Sequence, residues 1–100
     1  MKETMEIEEI RETAANLFRE TFPENTLIEV VVKPGLDWEG DKILDIIFVF
    51  DETKKTLDVK KSIKLDTLVR NRIVVEEDRF PLIEFANTED ARVMKIGSAA

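Results

Sequence analysis

Between Glu3 and Thr21 the apolar residues fall at Ile7, Ile10, Ala14, Leu17 and Phe18, and spacings of three and four gather them into one stripe along a helix. Glu6, Glu8 and Glu9 stand near the positive end of that helix's dipole, and Pro23 forbids its continuation past Phe22. Two runs dense in β-branched residues follow, Leu27 to Lys33 (LIEVVVK) and Lys42 to Phe50 (KILDIIFVF), and both read as strands. Pro34-Gly35 is expected to stop the first of them. The stretch from Gly35 to Asp41 is glycine-bearing, acidic and too short for a crossover, so the two strands are expected to pair as an antiparallel hairpin.

A second helix is predicted over Asp58 to Glu77, with Asp58 as its N-cap and Leu65, Leu68, Val69 and Ile73 on one face. Ile73-Val74-Val75 would also suit a strand, so the pattern leaves open whether residues 72–76 end the helix or form a strand, and the helix is the expectation kept. Pro81 to Ala86 (PLIEFA) reads as a short third strand with proline at its first position. Thr88 offers a cap and Gly97 a stop for a short final helix.

The order is α-β-β-α-β-α in one domain spanning residues 1–100. Alternation along the strands places Ile28, Val30 and Val32, then Leu44, Ile46, Phe48 and Phe50, then Ile83 and Phe85, on a common face. Burying each such side chain stabilises by about 1.5–3 kcal/mol before entropy, which outweighs any surface feature. The expected architecture is α+β: a two-layer sandwich with a small three-stranded, mainly antiparallel sheet carrying the first and second helices on one face. Strand order is left open.

Composition narrows the chemistry. One hundred residues, 43% apolar and 37% charged, suit one packed domain. A net charge of −7 repels phosphate backbones and anionic lipid, so neither nucleic acid nor membrane is the expected partner. The chain has no Cys and no His, which excludes thiolate and Ser/His/Asp catalysis and Cys- or His-type zinc sites. The acidic first twenty residues lack the apolar core of a signal peptide, and no apolar stretch approaches a membrane span, so a cytoplasmic location is expected. No glycine-rich nucleotide motif is present, and no cofactor is expected.

The second sheet face supplies the candidates. It should present Glu29, Val31 and Lys33, then Ile43, Asp45, Ile47 and Val49, then Leu82, Glu84 and Ala86. Its apolar members exceed what a solvated face needs, so Val31, Ile47, Val49 and Leu82 are candidate partner-binding residues, for a protein partner or a second copy. Partial coverage by the terminal helix would account for the same pattern. Trp38, in the hairpin loop, is a candidate anchor, against the plainer alternative that it packs on the hairpin base. In the competing reading, Glu29, Asp45 and Glu84 converge from three strands to hold Mg²⁺ or Mn²⁺ for phosphoryl transfer or hydrolysis, although polar residues belong on the wetter face of a sheet in any case. Asp37, Glu39 and Asp41 lack the ligand ladder of a calcium loop, and Lys54, Lys55, Lys60, Lys61 and Lys64 read as a solvated basic stretch without aromatic residues to stack bases.

The segments Gly40-Asp41 through Val49-Phe50-Asp51, and Glu77-Asp78-Arg79-Phe80-Pro81-Leu82-Ile83-Glu84-Phe85, resemble short uncharacterised prokaryotic proteins often encoded beside toxin–antitoxin-like genes. That resemblance implies an accessory, antitoxin-like role and brings no catalytic motif. The sequence therefore favours a noncatalytic protein-interaction module, with the metal-dependent enzyme as the alternative. On the first reading Val49→Lys is expected to break assembly while leaving the fold intact.

Overall fold

The structure, a computed structural model, describes residues 4–52, 57–73, 75 and 78–94. Helix α1 (Ile7–Thr21) buries Ile10, Ala14, Leu17 and Phe18. It ends at Phe22, whose N–H donates to the Phe18 carbonyl at 2.7 Å before Pro23 closes off further turns. Strands β1 (Thr26–Leu36) and β2 (Lys42–Asp51) form the hairpin. Helix α2 (Val59–Arg72) starts at Asp58, whose carboxylate accepts from the Lys61 N–H at 3.2 Å. Strand β3 (Phe80–Asn87) leads directly into α3 (Thr88–Val93).

The sheet order is β1-β2-β3, with β2 antiparallel to β1 and parallel to β3, so the sheet is mixed and open. Helices α1 and α2 cover the face that carries Val30, Val32, Leu44, Ile46, Phe48 and Phe50. The core there is organised by four phenyl rings. Phe18 lies 5.0 Å from Phe22 and 5.5 Å from Phe48, and Phe85 stacks on Phe48 at 5.4 Å and meets Phe22 edge-on at 6.4 Å. The circuit ties α1 to β2 and β3 at once.

Four details differ from the sequence reading. Strand β1 continues through Pro34-Gly35 to Leu36 instead of stopping at Lys33. The Asp37 N–H donates to the Asp41 carbonyl, and alternation from that bond turns the odd residues of β1 toward β2 and Pro34 toward the open edge. There its missing N–H breaks nothing. Ile28 was expected in the core, but Leu27 pairs with Phe50 and Glu29 with Val49, so Ile28 is the extra residue of a bulge and remains 47% exposed. Leu27 packs against the core in its place.

Helix α2 ends at Arg72, short of Glu77. Ile73 adopts an extended conformation, and both Ile73 and Val75 pack on the core, a two-residue spacing that extended backbone supplies and a helix does not. The cap of α3 is Asn87, whose side chain accepts from the Asp90 N–H at 2.8 Å, while the Thr88 hydroxyl bonds the Phe50 carbonyl. The stop expected at Gly97 lies outside the described residues.

Phe48 is fully enclosed at the middle of the ring circuit. Phe48→Ala is expected to lower unfolding free energy by about 3–5 kcal/mol, read from the urea midpoint at unchanged slope.

Candidate partner-binding surface

The hairpin loop is a type of turn that fixes its own shape. Gly40 N–H donates to the Asp37 carbonyl at 3.0 Å, and Gly40 takes φ of 88°, a left-handed conformation that suits glycine. The Asp37 carboxylate oxygen Oδ1 accepts from the backbone N–H groups of Glu39 at 2.9 Å and Asp41 at 2.8 Å. Asp37 therefore serves the turn. Trp38, held in this loop, does not fold back on the hairpin base: it is 91% exposed, the most exposed of the chain's large apolar residues among those described.

Two more apolar side chains share that end of the sheet, and neither was singled out from the sequence. Leu36 closes β1 and Phe80 opens β3, and both are exposed. Phe80 pairs with Ile43, directly across from Gly35. Arg79 donates to the carbonyl of Ile43 at 2.7 Å, and Lys42 meets Asp78 at 3.3 Å, so the start of β3 is fastened to the base of the hairpin. Arg70, held by Asp66 at 2.6 Å and the Pro81 carbonyl at 2.7 Å, lays its guanidinium 5.0 Å from the Phe80 ring centre. The only signal in the sequence was Phe80 standing just before Pro81 at the edge of a strand.

The second sheet face is divided. At the end away from the hairpin, α3 lies over β2 and β3, and Ala91 packs with Ile47, Val49 and Ala86, with Val31 at the margin. Val49 and Ala91 are fully enclosed. The terminal helix thus covers two of the candidate contact residues, Ile47 and Val49, while Val31 and Leu82 stay half-buried.

The carboxylates of the same face stand apart. Glu29 pairs with Val49, Glu84 with Ile47, and Asp45 with Lys33 on one side and Leu82 on the other. Each acid occupies a different level of β2, and Glu29 and Asp45 are separated by four residues of strand, about 13 Å. Ligands of one hard cation must all lie about 2.0–2.6 Å from it. No group of three or more Asp or Glu placed to hold a metal ion occurs among the described residues, and none of their polar or charged side chains is buried. Of the basic stretch, Lys60 and Lys64 are exposed and Lys61 half-buried on α2, and Lys54 and Lys55 fall outside the described residues. No described helix is long and apolar enough to cross a membrane.

No family model, no curated protein and no solved structure matches the chain.

The enclosure of Val49 reverses the expectation for Val49→Lys. A lysine at this position loses the valine packing and must carry its longer, charged side chain out from under α3 toward Glu29 across the strand, so the variant should destabilise the fold itself by about 2–4 kcal/mol. Thermal unfolding followed by circular dichroism reads this directly.

Proposed function

We propose that this chain is a noncatalytic interaction module that engages a protein partner through the hairpin end of its sheet, with Trp38 as the anchor. The observation that carries the reading is an indole almost wholly in water on a turn fastened by the Asp37 carboxylate and Gly40. A large ring held in a fixed place loses little entropy when a partner covers it, and such residues supply most of the binding energy at interfaces. Phe80 adds exposed apolar surface at the same end, the half-buried Leu82 and Ile43 continue it along the second face, and Leu36 stands exposed on the opposite face. An accessory, antitoxin-like role, implied by the resemblance of the β2 and β3 segments to short prokaryotic proteins, belongs to this proposal and fits a module whose task is to cover another protein.

Trp38 is 91% exposed and belongs to neither core cluster, so Trp38→Ser should leave the unfolding midpoint unchanged and weaken partner binding by about 30-fold or more, equivalent to about 2 kcal/mol. Affinity capture from native lysate, compared between wild type and variant by mass spectrometry, identifies the partner. Titration of that partner should then shift the emission of the chain's single tryptophan to the blue. Recovery of the same proteins in equal yield by both forms would overturn the assignment of Trp38.

A further inference from the structure

The open edge of β1 has a definite hydrogen-bonding phase. The Asp37 to Asp41 bond, 2.9 Å, closes the hairpin, and alternation from it directs Lys33, Val31 and Glu29 toward β2. The backbone groups of Val30, Val32 and Pro34 therefore point the other way, where no described strand lies. The Val30 carbonyl accepts there from Arg11 Nε at 3.2 Å, through one of its two lone pairs. The edge is bounded at both ends, by the bulge at Ile28 and by Pro34, which has no N–H to give. What remains for a ladder is Val30 and Val32.

We infer that this edge pairs antiparallel with β1 of a second copy of the chain, about a twofold axis through Val31. In that register Val30 of each copy exchanges both backbone hydrogen bonds with Val32 of the other. Moving the axis to Val32 would set Val30 against Pro34, and moving it to Val30 would set Val32 against the bulged Ile28, so the donors themselves select Val31. The side chains agree with the backbone. On both sides of the axis Glu29 of one copy falls opposite Lys33 of the other, at non-hydrogen-bonded positions where cross-strand side chains approach most closely. Neither neighbouring register joins these two charges. The Val31 side chains meet on the axis and lengthen the apolar patch that each forms with Ile47 and Val49. A groove of about 610 Å³, lined by Arg11, Arg19, Ile28 and Val31 among others, opens beside the bulge end of this edge. This edge lies away from Trp38, and the pairing does not depend on the function proposed for the hairpin end.

The test is charge exchange, read by sedimentation velocity of the full chain across about 1 µM to 1 mM. Wild type should self-associate to a dimer. Glu29→Lys and Lys33→Glu should each weaken the dimer about tenfold or more, because each turns two attractive cross-strand pairs into repulsive ones. An equimolar mixture of the two variants should recover the dimer, since every Glu then meets a Lys again. Lys33 also faces Asp45 within its own chain, so a variant that does not depend on charge is included. The chain has no cysteine, and Val31→Cys places two thiols on the axis at a spacing a disulfide can bridge. Mild oxidation should link Val31→Cys into dimers and leave a Glu84→Cys control unlinked. A wild type that stays monomeric throughout, a variant mixture that gains nothing over its components, or equal linking at both cysteine positions would each overturn the inference.

Discussion

The circuit of Phe18, Phe22, Phe48 and Phe85 joins elements that are far apart in the chain, and most of the architecture follows from it. Phe18 and Phe22 are one helical turn apart, so α1 presents both rings to the same side. Phe48 sits at the middle of the central strand, and Phe85 is its register partner on β3. Once the rings are in contact, α1 must lie over the hairpin and β3 must sit beside β2 with Phe85 inward, and the crossover through α2 brings it in parallel. Each ring pair adds about 0.5–1.5 kcal/mol beyond the area it buries, and the geometry is more demanding than that of aliphatic contacts. A domain of this size has little stability to spare, so an organised aromatic centre specifies one arrangement among the several that the same pattern of apolar residues would permit.

The contents of the core were legible because both periods were clear. Spacing of three and four found Ile10, Ala14, Leu17 and Phe18, and alternation along β2 found Leu44, Ile46, Phe48 and Phe50. The departures all arise where backbone direction is decided by a neighbour. Pro34 reads as a stop, yet on an edge strand with its nitrogen facing outward it costs the ladder nothing. Ile28 is as apolar as Leu27, and only the pairing of Leu27 with Phe50 shows which of the two enters the core. Ile73 could continue α2 or leave it, and the extended exit wins because it lets Val75 reach the core as well.

The candidate site was less legible for the same reason. Strand alternation tells which face a residue is on and nothing about its level along the sheet. Glu29, Asp45 and Glu84 do share one face, but the register spreads them over three levels of β2, and no group of three or more acids is placed to hold a cation among the described residues. Likewise Val49 was correctly set on the second face, and only the path of α3 shows that Ala91 covers it. Trp38 gave the opposite outcome. Loop tryptophans commonly pack locally, but here Asp37 uses its carboxylate to fasten the turn, and the indole projects from the result.

An open sheet with only three strands has two edges for every central strand, and each edge is a row of donors and acceptors that will pair with something. This chain limits that hazard on β1 with a bulge at one end and a proline at the other, which shortens the available ladder to the residues between them. A long edge would accept many strands in many registers. A short one framed by an acid at Glu29 and a base at Lys33 accepts few, and in the inferred dimer the same segment laid antiparallel answers both charges. The features that guard β1 against promiscuous pairing are therefore the same features that give it one preferred register.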